Sequence, residues 1–367
     1  MTDEIKKNII TVLERIKKDT NSDNIFEDVI EEPVDYEKRN LYIACNSSLF
    51  KKDPYYYLNK LCQYEDKKEI NAIIAYLDDN NDIAEYSSSD INLLYNMVQA
   101  NTKSNPKTPK INSLVDYVNY ILELSNNKSA FTSLFFRGHN DKQYDNPTPS
   151  IFRSEYIKYE DVIYREAIRR LPNEFPEDMT TFDKLVKIQH YESPTRLLDI
   201  SSNPLVALYF ACKENGADGL VFVYTILNSK INYYDSNKTC IISNLAKLHV
   251  DYDYMMDRDY LIYKIQEDKP YYKEEHLLPH AVYDVICVLP KLNNDRIKNQ
   301  SGAFLLYGMG VNKSQPAEPL ITPRKIIIDS NAKKSILKDL DIMGINEARL
   351  FPETDKVLQQ IKLKYTR

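Results

Sequence analysis

The sequence predicts an α+β protein: a mixed, largely antiparallel sheet with flanking helices, preceded by an all-α N-terminal domain. Three observations lead there. Before residue 101, apolar residues recur at helical spacing and strand-like runs are sparse. Strand-like runs gather instead beyond residue 219. Helical and strand runs do not alternate one for one, which disfavours a doubly wound parallel sheet. The 367 residues exceed the usual domain size of roughly 100–200, so two units are expected, residues 1–105 and 106–367.

In the first unit, Ile5, Ile9, Val12, Leu13 and Ile16 mark one helix, and Ile70, Ile73, Ile74 and Leu77 another. Residues 54–64 and 90–100 add two short helices, the second with Asp90 as N-cap. Residues 101–110 (NTKSNPKTPK) have linker composition and set the boundary. A helix then starts at Ser113, with Asp116 three residues on, and carries Val115, Val118, Ile121 and Leu122. A short apolar strand (residues 133–136, SLFF) runs into Arg137, Gly138 and His139. Helices follow near residues 159–171 and 179–189. Strands are expected over residues 195–200, 219–226, 231–234, 281–289, 302–307 and 326–328, and helices near 204–212, 333–340 and 355–362, the last two flanking a turn at Gly344.

Composition removes several function classes. The net charge of −6 gives no electrostatic reason to expect a nucleic-acid backbone as the main partner. Cys45, Cys62, Cys212, Cys240 and Cys287 form no CxxC pair, which fits a reduced, cytoplasmic setting. No stretch approaches membrane length, so no membrane partner is expected. With 7 glycines against 29 tyrosines, a Gly-rich phosphate loop is not the organising device. His276 and His280 stand four apart, but Pro279 between them breaks a helical zinc pair. No metal site is expected. The acidic cluster Asp251, Asp253, Asp257 and Asp259 reads as a solvated loop or helix face rather than a nuclease centre.

The chemistry is expected at residues 189–212 (QHYESPTRLLDISSNPLVALYFAC). A strand feeds a Ser-Ser-Asn-Pro turn, and the turn feeds an apolar helix with Pro204 at its first position. Two readings stand for Asp199: a charge presented to a ligand, or a buried pair with Arg196 or Arg137. His190 is either a ligand-binding or acid–base group or a histidine satisfied by a carbonyl at a helix end. Arg137 is either a ligand-binding guanidinium or a clamp on the turn holding Asp141 and Asp145. Gly138 permits close backbone approach or a positive φ, and Arg153 reads as a structural salt-bridge residue or, alternatively, a phosphate contact.

Phe136-Arg137-Gly138 resembles the motif that names the FRG domain proteins. The likeness extends to Pro149–Arg153, to Gln189-His190, to Pro194-Thr195-Arg196-Leu197-Leu198-Asp199 and to Pro204–Ala211. It continues at Gln300–Phe304 and Leu350-Phe351-Pro352, spanning about residues 112–360. The chain departs from the family in having Glu192 where a glycine is usual and Ile200 where an aromatic residue, often Trp, is usual.

The order of the motifs is remotely similar to that of ADP-ribosyltransferases, which hold NAD with an Arg on an early strand, a Ser or Thr before a helix, and a late Glu. That likeness implies Arg137 in the first role, Ser201 with its neighbour Ser202 in the second and Gln300 in the third. Gln300 lacks the carboxylate's charge, which Asp199 is then placed to supply. Arg137, Asp199, Ser201 and Gln300 are the implied catalytic set. Arg137, Gly138, His190, Thr195, Arg196 and Ser202 are the implied NAD-binding set. The expected function is an ADP-ribosyltransferase-like, NAD-binding effector with a protein or nucleic-acid acceptor; family likeness suits a toxin-like role in stress response or phage defence. Residues 1–105 would supply a regulatory or partner surface. A non-catalytic ligand-sensing or protein-interaction module and a nucleic-acid-processing effector are the alternatives.

Overall fold

A computed structural model describes residues 28–33, 39–44, 70–77 and 83–87, then 108–252, 257–274, 277, 281–310, 315–317, 323–353 and 358. The four early stretches are strands, β1 (Asp28–Pro33), β2 (Arg39–Ala44), β3 (Ile70–Leu77) and β4 (Ile83–Ser87), paired in that order with β2 and β3 parallel. This corrects the all-α expectation for the described part of residues 1–105. The helical spacing of Ile70, Ile73, Ile74 and Leu77 belongs to a strand paired on both edges, where Ile73, Ile74 and Ala75 are consecutively buried. A continuous apolar run looks alike in a buried strand and a buried helix; the isoleucine-rich composition favours the strand. The helices expected at residues 5–16, 54–64 and 90–100 lie outside the described residues, as do residues 101–107 of the expected boundary.

The second unit is built on an eight-stranded sheet. Its strands are β5 (Lys110–Ile111), β6 (Thr132–His139), β7 (Leu197–Ser201), β8 (Gly219–Leu227), β9 (Ile231–Tyr233), β10 (Val285–Leu289), β11 (Gly302–Tyr307) and β12 (Arg324–Ile328). They lie in the order β5-β12-β8-β6-β7-β11-β10-β9, antiparallel except at the two outer pairings. The mixed, largely antiparallel α+β fold is therefore present. The strand expected over residues 281–289 starts later, because Ala281–Tyr283 closes into a 3-10 turn.

Nine helices flank the sheet among the described residues: α1 (Leu114–Asn126), α2 (Glu160–Arg170), α3 (Thr181–His190), α4 (Pro204–Cys212), α5 (Asn237–Asn244), α6 (Arg258–Gln266), α7 (Asp295–Asn299), α8 (Lys333–Ile342) and α9 (Glu347–Leu350). Local chemistry sets their starts. Ser113 caps α1 by accepting from the Asp116 amide, Thr180 caps α3 likewise, and Asn203 with Pro204 opens α4. Asp257, from the acidic cluster, caps α6. Among the described residues no helix is long and apolar enough to cross a membrane.

One feature of the sheet positions the site. β6 and β7 meet at the single residue pair Phe136 and Ser201, whereas β6 pairs with β8 along its whole length. The sheet thus consists of two halves joined at one point. Helices α1, α4 and α8 cover the β6-β8-β12 half in one apolar cluster, and α2, α3, α5 and α6 pack on the β7-β11-β10 half in another. The other faces of both halves share a third cluster, in which Phe135, Phe222 and Tyr224 join Leu198, Ile200, Cys287 and Leu305.

Candidate active site

Beyond the Phe136–Ser201 pair the two central strands part, and Arg137 fills the gap. Its Nη1 donates to the Asp199 carbonyl at 2.7 Å and lies 3.9 Å from the Asp199 carboxylate. Its Nε donates to His139 Nε2 at 2.9 Å. Because that ring nitrogen accepts, the proton of neutral His139 sits on Nδ1, which donates to the Tyr144 carbonyl at 2.7 Å. Arg137 does not clamp the turn of Asp141 and Asp145.

Burial, with the Arg137 charge beside it, pulls His139 down to about 4 from 6.5. The unfolded chain therefore binds the proton more readily than the folded one. Stability is fully present above the unfolded value and falls as pH drops through the window between the two, by at most about 3 kcal/mol. Urea melts at about pH 7 and about pH 4.5 should show this loss, and His139→Gln should flatten it.

Asp199 is held from two sides. Gln189, near the end of α3, donates its amide to the Asp199 carboxylate at 2.9 Å and to the Leu197 carbonyl at 3.3 Å. Thr195 in turn donates its hydroxyl to the Gln189 side-chain oxygen. Thr195 is 1% exposed, so it acts by orienting Gln189 and not by touching a ligand. The Asp199 side chain nevertheless remains 57% exposed. Of the two readings for Asp199, the structure shows a presented carboxylate with Arg137 at its back, and no contact with Arg196.

Asp199 opens into a cleft of about 380 Å³ between α3, β7, β11 and α7, whose lining also includes His190, Lys187, Lys291, Arg296 and Gln300. Burial, then the Arg296 charge, lowers the His190 pKa, and its Nε2 lies 3.9 Å from Glu353. Gln300 shares the cleft wall, but its side-chain amide donates to the Leu350 carbonyl at 2.9 Å. Ser201 donates its hydroxyl to the Gln300 backbone carbonyl at 2.6 Å, and Ser202 donates to that of Ser301 at 3.3 Å. The structure brings Arg137, Asp199, Ser201 and Gln300 together, with the serine hydroxyls spent on joining β7 to the turn before β11.

Besides Thr195, two further expected ligand contacts are corrected. Arg196 is 3% exposed; its guanidinium pairs with Glu160 of α2 and donates to the Tyr307 carbonyl at 2.8 Å, leaving it no access to the cleft. Gly138 serves packing: a Cβ there would stand 1.9 Å from the Ala207 carbonyl oxygen of α4. Its φ is not positive, and the backbone it approaches is a helix and not a ligand. Arg153 also differs from the salt-bridge expectation, bonding the Thr148 carbonyl and no carboxylate among the described residues.

Sequence reasoning missed the cationic wall of Lys187, Lys291 and Arg296. Lys187 lies on the same helix as Val186 and Gln189, but the other two lie about a hundred positions later in the 290–300 turn. Only the β7–β11 pairing brings that turn to α3. His276 and His280 lie outside the described residues, and among those described no cluster of metal-ligating side chains occurs. Cys212, Cys240 and Cys287 are buried and free, with burial pushing each thiol up to about 12, so they are poor nucleophiles.

The family model of the FRG domain matches residues 132–219, from the first residue of β6 to the first of β8. This chain carries an FRG domain. The matched stretch contains Arg137, Gly138, His190, Thr195, Arg196, Asp199, Ser201 and Ser202; Gln300 and the Leu350-Phe351-Pro352 likeness lie beyond it. No curated protein and no solved structure matches the chain. Within the FRG domain, Glu192 takes φ 63°, the left-handed region that glycine favours. The loop therefore keeps the backbone that the family's usual glycine would allow, although the side chain differs.

Proposed function

We propose that the FRG domain binds NAD in the Asp199 cleft and cleaves its nicotinamide–ribose bond, as an ADP-ribosyltransferase-like enzyme does. The observation that carries this reading is the state of Asp199. One carboxylate oxygen is fixed by Gln189 with Arg137 behind it, while the other has no protein hydrogen-bond partner among the described residues and the side chain stays open to the cleft. A carboxylate so held can face a sugar that becomes positive at C1′ as the bonding pair leaves with nicotinamide. The acceptor, a protein or nucleic-acid nucleophile or water, then bonds C1′ and loses its proton.

Arg137 orients Asp199 through its backbone carbonyl, and Gln300 shapes the cleft wall. Incubation with NAD labelled in the ADP-ribose part, alone and with cell lysate, tests the reading. Label transfer or free nicotinamide is expected with the wild type and strongly reduced with Arg137→Ala. Correctly folded protein that neither binds NAD nor releases nicotinamide would end the proposal.

A second reading has its own observation. The Gln300 amide and the Ser201 hydroxyl are both engaged by the fold, so Asp199 is the one member of the expected catalytic set whose charge opens into the cleft among the described residues. A non-catalytic, ligand-sensing FRG domain fits that arrangement, and NAD binding without nicotinamide release would select it.

A further inference from the structure

Among the cations of the cleft, one has nothing to hold. Lys187 pairs with Glu174 at 2.7 Å and donates to the Glu174 carbonyl at 2.6 Å. Lys291 pairs with Asp183 at 2.8 Å, and Arg137 at the back of Asp199 spends its donors on His139 and the Asp199 carbonyl. Arg296, by contrast, is half-buried in the cleft wall, yet none of its five guanidinium donors meets a protein acceptor among the described residues. None of its side-chain nitrogens is among the sealed polar atoms that lack a partner, so these donors face the cleft, where ligand oxygens can take the place of water.

Its place in the wall is set against an aromatic ring. The guanidinium carbon lies 4.8 Å from the centroid of Phe351, and Lys213 stands 4.8 Å from the same ring. Phe351 is itself 8% exposed and set edge-on to Phe210 of α4. Arg296 is therefore a guanidinium seated over an aromatic ring with no protein acceptor among the described residues, a state that suits bidentate capture of phosphate oxygens. His190, in the same wall, has its pKa lowered partly by Arg296, which places a neutral imidazole beside that charge.

We infer that Arg296 is the phosphate-recognising residue of the cleft and that the ligand is a phosphate- or pyrophosphate-bearing nucleotide. The inference rests on the reading of the cleft as the ligand site, and within that reading Arg296 takes the pyrophosphate while Asp199 faces the ribose. It does not require the ligand to be cleaved.

Isothermal titration of the full chain with ADP-ribose, inorganic pyrophosphate and adenosine tests it, using the wild type, Arg296→Gln and Lys298→Gln. Lys298 is exposed on the same short helix and, among the described residues, pairs only with Asp295, so its variant measures the general effect of removing one positive charge. Arg296→Gln is expected to weaken ADP-ribose and pyrophosphate about tenfold or more, to leave adenosine unchanged, and to exceed the effect of Lys298→Gln. Thermal melts establish that each variant is folded. Equal losses in the two variants, or no binding of either phosphate probe by the wild type, overturn the inference. Arg296-dependent ADP-ribose binding without nicotinamide release from NAD leaves it standing and removes the transferase reading instead.

Discussion

Replacing Arg196 with Ala should cost about 3–5 kcal/mol of folding stability, the usual loss when one partner of a buried ion pair is removed. Arg196 and Glu160 are 3% and 5% exposed, and the guanidinium also donates to the Tyr307 carbonyl, so deletion strands a buried carboxylate and a buried carbonyl together. Chemical denaturation of Arg196→Ala should show the midpoint falling with little change in slope. Such a loss is a large share of a typical total of about 5–15 kcal/mol. Glu160→Ala should behave similarly. Replacing both partners by apolar residues of similar volume should recover much of the loss, since the pair's desolvation is then avoided as well. Near-wild-type stability of Arg196→Ala would mean that the pair does not tie α2 to the start of β7.

The second large effect is expected at Gly138. A methyl group there would meet the Ala207 carbonyl oxygen at 1.9 Å and the Ala211 amide nitrogen at 2.7 Å, both backbone atoms of α4. Neither can move without lifting the helix from β6. Gly138→Ala is therefore expected to destabilise by about 3 kcal/mol, the upper part of the range for overpacking. It should also weaken ligand binding, because α4 follows directly on the β7 turn that carries Ser201 and Asn203. Calorimetric unfolding of Gly138→Ala and of the companion Gly219→Ala, whose added Cβ would stand 2.2 Å from the Ala211 carbonyl, measures how much of the sheet–helix joint depends on these contacts. Unchanged melting of both variants would contradict the packing explanation for the glycine of the Phe-Arg-Gly motif.

What could be read from the sequence was whatever local chemistry decides. The Ser113 cap, the Asn203-Pro204 helix start and the apolar strand GAFLLY appear in the structure where their residues imply. Helix α5 has a Ser236 cap but no periodic signal, because Thr239, Ser243 and Asn244 are buried beside its isoleucines and no amphipathic face results. The strand Ile70–Leu77 was masked by an apolar run that suits either element.

At the site, the pairing of Arg137 with Asp199 follows from their places beside the Phe136–Ser201 joint, and the sequence motif contains both residues. The roles of Arg196 and Gly138 were not legible. The first depends on Glu160 from a helix 36 positions earlier, and the second on how closely α4 approaches β6. Arg296 carries no motif at all; its meaning comes from the ring of Phe351 beneath it and the lack of an acceptor among the described residues around it.

The central claim is that the open carboxylate of Asp199 acts on a bound nicotinamide nucleotide, and nicotinamide release from NAD by the wild type and by Asp199→Asn tests it most directly. The Asn side chain keeps the shape and the hydrogen-bonding capacity of Asp199 but removes its charge. Release is expected to fall about 100-fold or more while NAD still binds, the scale of losing one preorganised electrostatic contact in a transition state. Equal release rates for the two folded proteins would contradict the claim.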